Sequence, residues 1–600
     1  MDIAITGEGI VSAIGLNKHE VLKSLQEGKT GIGEMQFLQS EHHELPVGEV
    51  KLSNQQMKSM LGIPQHKMAS RTALMGMLAI QQALEDAEVG RCVHQRILLI
   101  SGTTVGGMDI TELSYNRLTS QMEQGETLKA EDIELLKQHD CGSSTQQMAS
   151  YFGIFEDVST ISTACSSAAN AIMLGARLIK AGVADMVVAG GTEALSRFHL
   201  NGFNSLMILD QKPCRPFDAT RAGLNLGEGA AYVVLEPIEQ AEARKVSPHA
   251  YLTGYGNACD AFHQTASSEN GEGAYLAMME ALKTARLQPS DIQYVNAHGT
   301  GTPNNDQSES ISLRRVFGDK MPLVSSTKSF TGHTTSASGS IETVISILAL
   351  QHQFVPANLG WEHAMENGII PTLGESHVPL ENVLCNSFGF GGNDTSLIIS
   401  TKAQKDLTLE EIQTRYALED IEIVSMVKID SEEQLADIKK YVKPLEARRM
   451  GTLMKSSLLA SLEASRQAGI ECPDAIITGT AYGCLENSER LLEQMKAEGE
   501  TMLKPTYFMQ STHNTISSNV AIKTHCHGYN ITYTQGNKSL SWAILDAEML
   551  LASGKVNNVL VGFHDESTPF FNRLLEQCGE KPMSGFRSVA LVLRRRTDNK

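Results

Sequence analysis

Positive charge is scarce in this sequence: 50 lysines and arginines face 69 aspartates and glutamates, a formal charge of -19 over 600 residues. Non-specific binding to nucleic acid or to an anionic membrane surface needs a cationic face, so both are disfavoured. A local basic patch that receives an acidic protein is compatible with the total. No window reaches the roughly 18 consecutive apolar residues of a spanning helix. The opening MDIAITGEGIVSAIG lacks a basic segment and a long apolar stretch, so it reads as a buried first strand and not a secretory signal. Ten cysteines (Cys92, Cys141, Cys165, Cys214, Cys259, Cys385, Cys472, Cys484, Cys526 and Cys578) show neither CxxC nor disulfide-scaffold spacing. A reducing, cytoplasmic location is expected. Neither GTTVGG nor GFGGND ends in Gly-Lys-Ser/Thr or completes a dinucleotide fingerprint, so no nucleotide cofactor is implied.

What is present is ordinary for a globular protein, with 41% hydrophobic and 20% charged residues, and the length predicts more than one domain. Strand-like runs at 97–101, 185–190 and 230–235 alternate with helical patterns through the first 400 residues, which predicts layered α/β architecture. Residues 166–182 (SSAANAIMLGARLIKAG) are small or apolar all round, as a helix buried between sheets requires. An internal repeat is also present. Residues 533–562 (YTQGNKSLSWAILDAEMLLASGKVNNVLVG) match 161–190 (ISTACSSAANAIMLGARLIKAGVADMVVAG) without a gap. Within 448–483, SLEASRQAGI and IITGTAYG match ALEDAEV and LISGTTVG, while SVALVL at 588–593 stands where AAYVVL stands at 230–235. The tail is therefore expected to be a second copy of the first lobe, opened by the apolar run 421–427 as 3–7 opens the first. No counterpart of 240–400 follows it in this sequence. The polar stretch TKAQKDLTLEEIQTRY between the copies reads as a linker. The expected domains are 1–240, 241–402, a linker at 403–417 and 418–600.

Cys165, in STACSSA, sits between a β-branched strand and the buried helix. A helix N-terminus presents free N–H groups and the positive dipole end, which predicts a stabilised thiolate. A lone cysteine so placed is more often a small core residue. His298, in VNAHGTGTP, and His333, in SSTKSFTGHTTSASGS with Lys328 just before it, each lie in a turn of small residues after a strand. Such turns let a ligand approach the backbone closely. Glu342 follows on a helix expected to be buried. His513, His525, Cys526 and His527 have no established zinc spacing and read as loop or strand packing, so no metal is expected.

TACSSA, RPFDATRAGLNLGEGAAYVVLE, NAHGTGTP, SSTKSFTGH and NSFGFGGND, in this order and spacing over residues 1 to about 400, resemble elongating β-ketoacyl-ACP synthases of type II fatty-acid and polyketide pathways. The resemblance implies a thiolase-like layered αβαβα fold of two lobes, plus a third, partial thiolase-like lobe at the C-terminus. It implies a catalytic set of Cys165, His298, His333 and Lys328. Cys165 would take an acyl group from acyl carrier protein, and the histidines would hydrogen-bond a malonyl thioester as it loses CO₂. Lys328 would supply charge and hydrogen bonds to the second histidine, supported by Glu342. The N–H groups of Cys165 and Phe390 would form the oxyanion hole, with the Phe390 ring as a gate. Thr300 and Thr302 match pantetheine-binding positions, and Val105 and Met108 match the floor of the acyl pocket. Degradative thiolases carry a second cysteine in place of one histidine and initiating synthases an Asn, so His333 implies the decarboxylating branch. The implied partners are acyl carrier protein and a homodimeric or heterodimeric ketoacyl-synthase-like subunit, with no cofactor beyond the carrier's phosphopantetheine.

In the tail the position of Cys165 holds Asn537, a degenerate nucleophile site that resembles chain-length factors of polyketide and aryl-polyene systems. The tail either shapes the acyl tunnel, or replaces part of a dimer partner, or only covers a surface; the sequence leaves these open. The fused copy favours a polyene or polyketide pathway over housekeeping synthesis. A non-catalytic assembly subunit and a thiolase-like CoA acyltransferase are the alternatives.

Overall fold

The computed structural model describes residues 3–90, 95–403, 421–501, 503–583 and 585–596. Cys92 and, from residue 404 on, the expected linker lie outside the described residues. The first lobe contributes β1 (Ile3–Ser12), β2 (Ile97–Gly102), β3 (Asp157–Ile161), β4 (Met186–Glu193) and β5 (Gly229–Pro237). The second contributes β6 (Ala250–Cys259), β7 (Tyr294–Asn296), β8 (Leu323–Ser325), β9 (Asn382–Gly389) and β10 (Asn393–Ser400). The tail contributes β11 (Ile421–Ile429), β12 (Ala475–Gly479), β13 (Tyr529–Tyr533), β14 (Asn558–Glu566) and β15 (Phe586–Arg595). These run edge to edge in one 15-stranded sheet of order β8-β7-β9-β10-β6-β1-β5-β4-β2-β3-β13-β12-β14-β15-β11.

The tail's strand order is that of the first lobe, reflected across the seam between β3 and β13. Even the irregularities repeat: the β1/β5 ladder shifts register between Ile5 and Gly7, and the β11/β15 ladder between Ile423 and Ser425. The seam is short. Ile161 pairs with Tyr533, flanked by bonds from Ser162 N–H to the Thr532 carbonyl and from Thr534 N–H to the Thr160 carbonyl, each 2.9 Å. The tail therefore packs on its own chain at an otherwise open sheet edge, which a soluble fold has to cover.

Helices that position the site are α1 (Arg71–Asp86), α2 (Met108–Glu123), α3 (Ser167–Lys180), α4 (Arg197–Ser205), α5 (Glu272–Ala285) and α6 (Ser338–His352). In the tail they are α7 (Thr452–Gln467), α8 (Leu485–Glu498), α9 (Thr515–Thr524) and α10 (Ser539–Ala552). Every residue of α3 is buried, as its uniformly small and apolar sequence predicted, and α6 is buried from Ser338 to Leu350. These two helices pack together between the sheets of the two lobes, with α1 and α5 on the outer faces. This is the five-layer arrangement expected from the sequence.

One polar cluster crosses the seam. Arg177 on α3 is paired with Asp546 on α10, and both side chains are buried. Asp546 also accepts from the hydroxyls of Tyr529 (2.9 Å) and Tyr533 (2.8 Å), and Arg177 donates to the Tyr529 oxygen at 2.6 Å. In the repeat register, Asp546 stands where the first copy has Leu174. The cluster therefore fits the tail against the first lobe and would not form between two first lobes.

Candidate active site

β3 ends in a single 3₁₀ turn, Ala164–Ser166, that feeds directly into α3 and carries Cys165. Ala164 has φ 53°, a left-handed conformation that is unfavourable for a residue with a Cβ and is retained only where its surroundings enforce it. Ser167 does so, accepting from Thr163 N–H at 2.9 Å while its hydroxyl donates to the Ala164 carbonyl at 2.6 Å. The Gly389 backbone runs alongside. A Cβ there would lie 2.7 Å from the Thr163 carbonyl oxygen and 3.3 Å from the Cys165 nitrogen, so only glycine allows the approach.

His298 follows β7. Its N–H and that of Gly299 both donate to the Glu309 carboxylate, at 2.8 and 2.7 Å. His333 is fixed from the backbone, its N–H donating to the Asn225 carbonyl at 2.7 Å, while its Nδ1 lies 3.0 Å from the Ser338 hydroxyl at the start of α6. A hydroxyl donates or accepts, so it accommodates either imidazole tautomer. His333 Nε2 is 3.1 Å from the Cys165 sulfur, and the two imidazoles meet edge to face with centroids 5.3 Å apart. One ligand-type atom from each of Cys165, His298 and His333 lies within 4.8 Å of the other two. Lys328 Nζ donates to Glu342 at 2.5 Å, both groups being buried.

Two expectations need correction. Burial pushes the Cys165 thiol up to about 12, against the opposing pull of the Lys328 charge and of the Phe390 N–H. The resting group is therefore a thiol and not the stabilised thiolate read from the helix N-terminus, because burial penalises the anion more than the dipole and the Lys328 charge favour it. Lys328 also does not hydrogen-bond His333; Ser338 and the Asn225 carbonyl hold that residue, and Lys328 acts on it through charge. Burial first, and the Lys328 charge second, hold both imidazoles well below the usual histidine range, so they are neutral at pH 7.

Cys165, His298, His333, Thr300, Thr302 and Phe390 all line one cavity of about 400 Å³. The Thr300 and Thr302 hydroxyls are 2.9 Å apart in its wall. Val105 and Met108 do not reach it. They line a second, smaller cavity at the seam with His199, Phe508 and the tail's Tyr482 and His513. That space shares His139, Asp140, Tyr482 and Ser488 with an apolar cavity of about 140 Å³ between α2, α8 and Phe570. Between the catalytic and seam cavities stand stacked rings: Phe390 on Phe203 (centroids 5.6 Å, 24°), and Phe203 against Phe508 at 5.2 Å. Sequence reasoning missed Glu309, Ser338, Phe203 and Phe508. Nothing in their local spacing sets them apart, since each matters through a contact made far along the chain.

Asn537 occupies the same turn in the tail. Gly536 has φ 53°, and Ser539 accepts from Gln535 N–H at 2.8 Å and donates to the Gly536 carbonyl at 2.7 Å, repeating the arrangement around Cys165. Asn537 itself is exposed. Among the described residues, a second cluster of metal-ligand type is Glu8, Asp86 and His249, but the Lys18 ammonium sits among them, 2.7 Å from Asp86 and 3.3 Å from Glu8. In the THCHG segment His525 ends α9, Cys526 is buried, and His527 Nδ1 lies 3.0 Å from the Cys259 carbonyl. No helix among the described residues is long and apolar enough to cross a membrane.

Residues 1–241 match the family model for the β-ketoacyl synthase N-terminal domain and 249–362 that for the C-terminal domain. Residues 426–599 match a second N-terminal-domain model. The 3-oxoacyl-acyl-carrier-protein synthase 2 of Vibrio harveyi is 32% identical over 425 residues, covering 67% of this chain and 99% of that one. The Vibrio cholerae protein of the same name is 33% identical over 419 residues, covering 66% and 98%. Among solved structures, the ketosynthase ApeO in complex with its chain length factor ApeC from Xenorhabdus doucetiae is 31% identical, with a TM-score of 0.57 over 67% of this chain and 98% of that one. The PfaC keto synthase-chain length factor aligns with 99% of this chain and 78% of its own at a TM-score of 0.78; at 17% identity this is a likeness of fold.

Proposed function

The chain belongs to the β-ketoacyl synthase family of acyltransferases, and from that premise we propose that it elongates an acyl chain on acyl carrier protein in a polyene or polyketide type of pathway, with Cys165 as acyl acceptor. The observation that carries this reading is the Cys165 sulfur 3.1 Å from His333 Nε2, with His298 beside it, in a cavity that Thr300 and Thr302 also line. The tail supports the dedicated pathway: the chain resembles paired ketosynthase and chain length factor subunits, and its tail has the fold of a ketosynthase lobe without the cysteine.

In the first half-reaction the thiol attacks the acyl thioester. Its proton passes to His333 Nε2 while Nδ1–H donates to Ser338, and it is returned to the departing pantetheine thiolate. The N–H groups of Cys165 and Phe390 face the developing oxyanion, a stabilisation that is commonly the largest single contribution to such steps. The products are acyl-Cys165 and free carrier thiol. In the second half-reaction malonyl-ACP loses CO₂, and His298 and His333 donate N–H to the thioester oxygen as the enolate forms; His333 now needs the other tautomer, which the Ser338 hydroxyl allows. The carbanion attacks the acyl carbon and the C–S bond to Cys165 breaks, giving β-ketoacyl-ACP and a Cys165 thiolate that takes up one proton from solvent to restore the thiol. Lys328 keeps the histidines neutral, and Glu342 balances Lys328. No prosthetic group beyond the carrier's pantetheine enters this scheme, which runs in the cytosol.

The acyl chain would pass Phe390 into the seam cavities, so that Val105 and Met108 contact its distal part. The test is to mix the protein with acyl-ACP and malonyl-ACP. A mass adduct on Cys165 and CO₂ release are expected, with Cys165→Gln still releasing CO₂ but forming no condensed product. An unlabelled Cys165 refutes the reading.

A further inference from the structure

The loop that carries Phe390 is gripped from the tail at three points. Asn514, at the start of α9 and 1% exposed, donates one amide N–H to the Phe390 carbonyl and the other to Asn393 Oδ1, each at 2.7 Å. Ser518, one turn further on, lies where a Cβ on Gly391 would meet it at 2.7 Å. Phe508 packs on Phe203, which in turn stacks on the Phe390 ring. From the second lobe, the Gln264 carbonyl accepts from Gly391 N–H and Asp260 N–H donates to the Gly392 carbonyl. Phe390 thus lines the cavity with Cys165, while its carbonyl is held on Asn514 and its ring on a stack that ends in the tail.

We propose that Asn514 is a positioning residue for acylation of Cys165: by holding the Phe390 carbonyl it sets the direction of the Phe390 N–H and the closed position of the ring. The proposal rests on the reading of Cys165 as acyl acceptor. The chemistry of the contact is directional. Both Asn514 N–H groups meet acceptors, and its own Oδ1 has no protein partner, so a flipped amide would set oxygen against oxygen. A glycine-rich loop, with Gly391 at φ 81° and Gly392 at φ 76°, has many conformations to choose from once that contact is lost. The tail would then do more than cover a surface, since the electrophile's binding position for Cys165 would depend on a side chain from beyond residue 500.

The experiment compares two rates in the full chain: Cys165 acylation by acyl-ACP, followed by intact mass, and malonyl-ACP decarboxylation in a Cys165→Gln background. Asn514→Ala is expected to slow acylation at least ~10-fold, short of the ~10²–10³-fold for outright loss of an oxyanion donor, and to leave decarboxylation within about twofold because that step uses the histidines. Asn514→Asp keeps the shape but turns two donors into acceptors facing acceptors. It is expected to acylate more slowly than Asn514→Ala at pH 8, and to recover as pH falls and the buried carboxyl takes up a proton that it donates to Phe390. Acylation by Asn514→Ala within about twofold of the parent, equal losses in both rates, or an Asn514→Asp rate that does not rise on acidification would each overturn the proposal. If the parent itself carries no Cys165 adduct, the underlying reading fails, and the two failures are thereby told apart.

Discussion

Replacing Asp546 by leucine, the residue that the first copy carries at this position (Leu174), removes one half of a buried ion pair and leaves Arg177 charged beside two tyrosine hydroxyls. Asp546 accepts from Arg177, Tyr529 and Tyr533, and all three donors sit at the seam. An uncompensated buried charge costs about 3–5 kcal/mol, and each orphaned hydroxyl adds about 1–3 kcal/mol where water cannot reach it. The lower end, about 3 kcal/mol, corresponds to roughly two decades in an opening equilibrium. The damage is local, so amide hydrogen exchange is the suitable assay: the N–H groups of β13 next to the seam are expected to exchange about 100-fold faster in Asp546→Leu. Adding Arg177→Met, the residue found at the matching tail position (Met549), removes the stranded charge and is expected to restore most of the protection, because an apolar pair often replaces a buried ion pair at little cost. Exchange within about threefold of the parent in the single variant, or a double variant no better protected than the single, would refute the assignment of this cluster as the seam's lock.

The acylation rate is expected to be flat between pH 6 and 8.5, because the thiol is pushed up to about 12 and the imidazoles are held well below their usual range; neither titrates in that window. A rate that climbs tenfold per pH unit would mean that free thiolate is the nucleophile and that His333 takes no proton. Met108→Trp should fill the small seam cavity and reduce Cys165 labelling by long acyl-ACPs at least ~10-fold while leaving short ones within about twofold, as read by competition between chain lengths. Equal effects on all lengths would remove Met108 from the acyl path.

The grouping of the site was legible because it draws on short runs whose composition is unusual: Cys165, His298, Lys328 and His333 each sit among Gly, Ser and Thr, and the structure brings Cys165, His298 and His333 together. The third lobe was legible from a gapless match, and its strand order repeats that of the first. Electrostatics was not. The thiolate expected of Cys165 followed from a local feature, the helix N-terminus, whereas its proton affinity is decided by burial under elements from both lobes. Val105 and Met108 were associated with the acyl pocket by resemblance, yet the space they line is made jointly with Tyr482, Phe508 and His513, 374 to 408 residues away along the chain. Arg177 and Asp546 read separately as ordinary helix residues, and only their meeting gives either a role.

The seam between β3 and β13 joins two parts of one polypeptide, and this changes how it responds to concentration. Two separate subunits meeting at this seam would associate to an extent set by their concentration. A tethered segment instead meets its site at an effective concentration of order millimolar, whatever the amount of protein. The protection of the β13 amides at the seam should therefore be the same at high and at low protein concentration.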